Sequence, residues 1–154
     1  MKLRLGTVDD AGEMERIAIA AIADSGYSPE QVDVWLKRFS EDRMREVCEK
    51  SFVVIVEVDA EVAGFATLID RGETAGELDL LYVSPDFKRR GVGKMLVRAI
   101  EDRVRQQDMT ALWVDASAPA THRLEQLGYR VHDRYKKTVD DVVFHNTWML
   151  KRFA

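Results

Sequence analysis

The residues best suited to chemistry lie in one short run. "KRRGVGK", Lys88 to Lys94, sets four cations around two glycines, after the strand-like "ELDLLYV" (Glu77 to Val83) with its stop at Ser84, Pro85 and Asp86, and before a long helical pattern. A glycine turn between a strand and a helix suits an anion. The first N–H groups of the helix lack partners within it, the helix dipole adds partial positive charge, and glycine lets a phosphate approach the backbone. Spacing separates the phosphate motifs. A P-loop requires glycine where Lys88 stands and Ser or Thr where Met95 stands, and a dinucleotide fingerprint requires a third glycine where Leu96 stands. Neither applies, and by itself the turn also reads as a solvated basic loop whose glycines serve helix geometry.

The elements that must hold this turn follow from periodicity. "KLRLG" alternates as a short strand, and Thr7 with Asp10 starts a helix reaching about Ser25. Ser28 caps a second helix with Pro29 at its first position and Glu30 in its first turn; Val32, Trp35, Leu36 and Phe39 supply its apolar stripe. Ser40 restarts the helix, which ends near Lys50. "SFVVIVEV" (Ser51 to Val58) and "VAGFATLI" (Val62 to Ile69) form a hairpin through "DAE", and a polar loop "DRGETAG" precedes the central strand Glu77 to Val83. Val92, Leu96, Ile100 and Val104, with Met95 and Ala99 beside them, predict a helix with one buried face and a charged opposite face. "TALWVDAS" (Thr110 to Ser117) is then a strand parallel to the one before. Pro119 to Gly128 is a short helix, and the last two alternating segments meet at Asp140 and Asp141 as a hairpin. The fold class is α+β: a mixed, mostly antiparallel sheet of about seven strands with helices on both faces.

Bulk properties narrow the function. A chain of 154 residues, 46% apolar and 32% charged, is expected to form one domain spanning residues 1–154, cytoplasmic, with no export signal and no membrane span. A net charge of −4 argues against nucleic acid as a partner, so the cations at Lys88, Arg89, Arg90 and Lys94 point to one local anionic ligand. The lone Cys48 is expected to be a buried structural thiol. His122, His132 and His145 are widely spaced without carboxylate partners in sequence, which predicts no metal site; Met149, Trp148 and Trp113 read as core.

"LYVSPDFKRRGVGKML" resembles motif A of the GNAT superfamily of acyl-CoA-dependent N-acetyltransferases, in which a strand ending Leu-Tyr-Val leads through Pro to Arg/Gln-x-x-Gly-x-Gly/Ala and a helix. "DASAPATHRLEQLGYRV" is similar to motif B. The helices around "YSPEQVDVW" and the closing "HNTWMLKRF" resemble a small bacterial branch of the superfamily, so likeness is strong over Glu77 to Val131 and weaker over nearly all the rest.

The resemblance implies a cosubstrate, acetyl-CoA, lying where the strand carrying Leu81 splays from its neighbour. Leu81, Tyr82 and Val83 would supply main-chain contacts, with the Leu81 N–H as oxyanion donor. Main-chain N–H groups from Arg89 through Gly91, Val92 and Gly93 to Lys94 would hold the pyrophosphate, with Arg89, Arg90 and Lys94 near the outer phosphates. Lys88 stands where Arg or Gln is usual, and Ser117 where Asn is more common. Glu77 is the candidate base for a primary amine, four residues before Leu81 and expected on the same face, with Asp79 between them as the reserve. The usual motif B tyrosine is replaced by Leu124, and a usual Phe by Arg123, so the acid that protonates the leaving thiolate is missing. The implied function is acetyl transfer to an amine of a small molecule or protein, with a homodimer as the candidate assembly. The rival readings are a non-catalytic acyl-CoA-binding module and a nucleotide-binding regulator.

Overall fold

The computed structural model describes residues 1–154. One seven-stranded sheet runs in the order β1-β2-β3-β4-β5-β7-β6. β1 (Lys2–Leu5), β2 (Phe52–Val58), β3 (Glu61–Gly72) and β4 (Ala75–Val83) are successively antiparallel. β5 (Ala111–Ser117) is parallel to β4, and β6 (Arg130–Val139) pairs with β7 (Val142–Arg152), which in turn pairs antiparallel with β5. The one parallel junction lies mid-sheet because the crossover helix α4 (Val92–Gln106) separates its strands in sequence. No helix is long and apolar enough to cross a membrane.

Helices cover both faces. α4 and α5 (Ala118–Gln126) pack on one, with Val54, Val56, Leu78, Leu112 and Met149 beneath them; α1 (Ala11–Ala23), α2 (Pro29–Leu36) and α3 (Glu41–Lys50) pack on the other, over Val53, Ile55 and Phe65. β2 is apolar on successive residues because it is buried on both sides. α1 turns Met14, Ile17, Ala18 and Ile22 inward at helical spacing. α2 begins with a capping box, Ser28 Oγ accepting from the Gln31 N–H and Gln31 Oε1 from the Ser28 N–H. Gly64 lets α4 lie close on β3: a Cβ there would sit 2.9 Å from the Tyr82 carbonyl oxygen and 3.0 Å from Val92.

Four expectations change. The segment from Asp70 to Gly76 is a hairpin end and not a loop, since β3 continues to Gly72 and Glu73 and Thr74, both at positive φ, turn directly into β4. Asp59–Ala60 and Asp140–Asp141 make equivalent turns without glycine, so the sequence lacks the usual signal for such tight connections. In α2 the buried residue is Val34, while Val32, Trp35 and Leu36 are half-buried. Met149 is core, but Trp113 and Trp148 stand half-buried and edge to face on the sheet, with the Arg71 guanidinium 5.1 Å from the Trp148 ring.

The fourth concerns α4, whose buried face includes a carboxylate. Glu101 is 0% exposed and accepts from Arg98 at 2.8 Å, the Tyr129 hydroxyl at 2.8 Å and Lys151 Nζ at 3.0 Å. Burial opposes its ionisation, yet the three donors outweigh it and hold the carboxyl below its ordinary range. Lys151 also donates to the Leu127 carbonyl, so this group ties α4 to β7 and to the end of α5.

Candidate functional site

The site begins where the parallel junction fails. β4 and β5 are in register only from Ala75 opposite Ala111 to Glu77 opposite Trp113. Beyond that they run on unpaired, to Val83 and Ser117, and the space between them opens into a cleft of about 620 Å³. The cause lies on the other edge of β4. Thr67 pairs with Leu80 and Leu68 with Leu78, leaving Asp79 as the extra residue of a β-bulge, where the Leu80 N–H donates to Thr67 Oγ1 at 3.0 Å. A bulge bends its strand and increases its twist, which swings the end of β4 away from β5.

The bulge also shifts side-chain faces. Leu78 and Leu81 both pack on the α4 side, whereas Leu80 and Tyr82 pack on the α1 side. Glu77, adjacent to Leu78, therefore faces away from the Leu81 side chain, and the expectation that Glu77, Asp79 and Leu81 share one face is corrected: period two holds only in an unbroken strand.

Main-chain directions follow the same count. The Leu80 N–H donates to Thr67, and the Ser84 N–H donates to the Ala63 carbonyl at 2.8 Å. Alternation directs Tyr82, opposite Phe65, toward β3 as well, and turns the N–H and C=O of Leu81 and Val83 toward the cleft. Tyr82 thus offers the cleft no main-chain group. Its ring packs against Phe39 and Phe65, its hydroxyl accepts from Trp35 Nε1 at 3.3 Å, and burial pushes the phenol up to about 12.

At the glycine turn, Arg89 and Gly91 both have positive φ, 65° and 83°, and a Cβ built on Gly91 would meet nothing within 4 Å. The first helical bond runs from the Met95 N–H to the Gly91 carbonyl, so the amides of Val92, Gly93 and Lys94 have no acceptor within α4. Val92 is buried in the core; its side chain anchors the helix and only its amide is available. Lys88, Arg89 and Gly93 line the cleft, whereas Arg90, Gly91, Val92 and Lys94 do not border it. Lys88 is engaged, its Nζ lying 3.1 Å from Asp24, and Arg90 lies over the Phe87 ring. Ser117 ends β5 at the cleft wall and precedes α5 without making a side-chain cap bond. Leu124 is buried and Arg123 borders the cleft.

Carboxylates gather at the opposite end. Glu77 accepts from Arg71 at 2.8 Å, yet burial and then the charge of Asp79 push its carboxyl up against that pull. Asp79 keeps solvent contact; desolvation by the cleft walls raises it and the charge of Arg43 lowers it. A third carboxylate, Asp115, accepts from the Tyr135 hydroxyl at 2.7 Å, Asn146 Nδ2 at 3.0 Å and Lys137 Nζ at 3.1 Å. Burial pushes the Tyr27 phenol up, with the charge of Asp115 adding to the rise and the nearby Ser117 opposing it. Sequence reasoning missed Asp115, Tyr135, Lys137 and Asn146, although a charged residue interrupting the apolar strand "ALWVDAS" was a usable signal. Cys48 is half-buried with Sγ 3.5 Å from the Met14 sulfur, and burial raises its thiol, as suits a structural role.

Comparison with known proteins adds independent findings. The family model described as an acetyltransferase (GNAT) domain matches residues 23–149. The chain is 28% identical over 132 residues to the uncharacterized N-acetyltransferase YafP of Escherichia coli, covering 86% of this chain and 81% of that protein. Among solved structures, a GCN5-related N-acetyltransferase from Rhodopseudomonas palustris superposes with a TM-score of 0.90 at 28% identity, covering 99% of this chain and 95% of that one. An N-acetyltransferase from Thermoplasma acidophilum, solved in complex with coenzyme A, has the same fold with a TM-score of 0.82 at 16% identity, covering 99% and 100%.

Proposed function

The chain belongs to the GNAT acetyltransferase family, and from that premise we propose that it transfers acetyl from acetyl-CoA directly to a primary amine bound in the β4–β5 cleft. The observation that carries the proposal is the parting of β4 from β5 beyond Glu77, which leaves the Leu81 and Val83 main chain unpaired within reach of the α4 N-terminus. An extended pantetheine arm can pair with that strand as an added strand does, and a diphosphate fits the free amides of Val92, Gly93 and Lys94 at a turn where Gly91, at positive φ, leaves open space beside the backbone. The coenzyme A complex of the Thermoplasma protein supports this use of the fold.

An amine with a pKa near 10 is mostly protonated at neutral pH, so its proton must be removed before attack. Glu77 and Asp79, both raised and interacting, act as the accepting pair, with Arg71 fixing the Glu77 carboxylate. The nitrogen–carbon bond forms as the carbon–sulfur bond breaks. The Leu81 N–H donates to the carbonyl oxygen as charge develops there. Once bonded the nitrogen is cationic and releases its second proton to solvent, while coenzyme A departs as a thiolate of ordinary pKa about 8.5, which leaves without an acid and takes up a proton from solvent.

Buried Leu124 at the usual acid position favours a second reading, an acyl-CoA-binding module without turnover. Thiol release from acetyl-CoA across a panel of amines, beside calorimetric coenzyme A binding, separates the two: binding with no release under any acceptor supports the module. Gly91→Glu should abolish coenzyme A affinity, because bulk and negative charge enter the diphosphate position. Unchanged affinity would refute the placement.

A further inference from the structure

Two guanidinium groups at the acceptor end of the cleft make no ion pair within 4 Å, the charge of Arg43 reaching Asp79 only at longer range. Arg38 lies with its guanidinium carbon 4.3 Å from the centre of the Trp35 ring, and its Nε–H is buried with no acceptor. An arginine bracing the end of α2 would donate to a carbonyl there; this one makes no such bond. Arg43 borders the same cleft, while the acids nearest it in sequence, Glu41 and Asp42, are both taken by Arg45.

Most other charges at this end are paired: Glu77 with Arg71 at 2.8 Å, and Asp115 with Lys137 at 3.1 Å. Arg38, Arg43 and Asp79, two cations and one carboxylate without an ion pair, face a common space that Arg89 and Arg123 also border. Buried donors in folded proteins are ordinarily satisfied, and a planar guanidinium fork matches a carboxylate in two parallel bonds. No hydrogen bond holds Arg38 in its stacked position, so turning it toward a guest sacrifices only the contact with Trp35.

We propose that the acceptor is an amine that also carries a carboxylate, an amino acid or a close relative, with its anionic end held by Arg38 and Arg43 and its ammonium end by Asp79 and Glu77. This rests on the acetyl-transfer reading above. A phosphate dianion fits less well, because Glu77, Asp79 and Asp115 would stand around it.

The test uses matched acceptors: amino acids with small, aliphatic, aromatic, acidic and basic side chains, each beside its carboxamide and its decarboxylated amine, plus phosphoethanolamine. Thiol release from acetyl-CoA is followed, and coenzyme A affinity is measured separately. At least one amino acid should exceed its carboxamide in kcat/KM by about 10- to 100-fold, as the loss of a charged hydrogen-bond partner implies. R38Q should erase most of that preference through KM, with kcat, coenzyme A affinity and turnover of the decarboxylated amine unchanged; R43Q should erase it as well, while moving the acid limb of kcat/KM upward on every acceptor, because the Arg43 charge holds the Asp79 carboxyl down. R38K should restore part of it. Equal use of acid and carboxamide, preference for phosphoethanolamine, equal losses on all acceptors in R38Q, or no turnover by a protein that binds coenzyme A would each overturn the proposal. Failure to bind coenzyme A would overturn the acetyl-CoA reading itself, and this proposal with it.

Discussion

Glu101 and Glu77 are both carboxylates among aromatic rings and cations, and the molecule treats them oppositely. Glu101 is fully enclosed and has three donors, so it stays ionised below its ordinary range and locks α4 to β7. Glu77 has one donor, Arg71, and a second acid two residues away, so burial and repulsion raise it. Burial is common to both and therefore decides neither. The difference is whether the neighbours satisfy the charge, and a carboxylate left under-satisfied beside an open cleft is the one free to exchange a proton.

Three measurements would break or sharpen that contrast. Glu77→Gln should lower kcat/KM by about 10² to 10⁴, the range of general-base catalysis, with thermal stability unchanged or slightly raised, since a carboxylate with a raised pKa does not favour the folded state at neutral pH. Full activity in that variant would shift the base to Asp79 or to water. Glu101→Gln should do the reverse: a loss of about 3 kcal/mol in denaturant unfolding, because Lys151 and Tyr129 keep buried donors without their anion, and little change in kcat. A variant as stable as the parent would show that the triple contact is not maintained in solution.

The smallest effect is in pH. Glu101 is depressed in the fold, so its stabilisation is complete above the ordinary glutamate value of 4.5 and is lost as pH falls through its lower folded value. The Glu77–Asp79 pair is raised, so the acid limb of kcat/KM should lie above 4.5 and belong to the pair jointly. Arg71→Ala removes the cation that holds Glu77 down and should move that limb further up, measured as the acidic midpoint of kcat/KM. A downward move would mean that Arg71 acts on a different group.

Much of the frame was legible because its signals are local. The strand–turn–helix around Gly91 and Gly93, the inward row Val92, Leu96, Ile100 and Val104, and the Ser28 cap each depend on neighbours within about four residues along the chain. The bulge at Asp79 was not, because it exists only against Thr67 and Leu68 of another strand, and it alone reverses the face of Glu77. Asp115, Glu101, Arg38 and Arg43 likewise acquire meaning from partners, or from the lack of them, that lie far off in sequence.

By itself the sequence determined the elements, their order and the glycine turn that joins β4 to α4, since hydrophobic period and backbone freedom at glycine are properties of short segments. Only the tertiary structure decided where β4 leaves β5, which carboxylates find enough donors to become fixed, and which cations are left over, because hydrogen-bond satisfaction is settled between surfaces that meet only after the chain has folded.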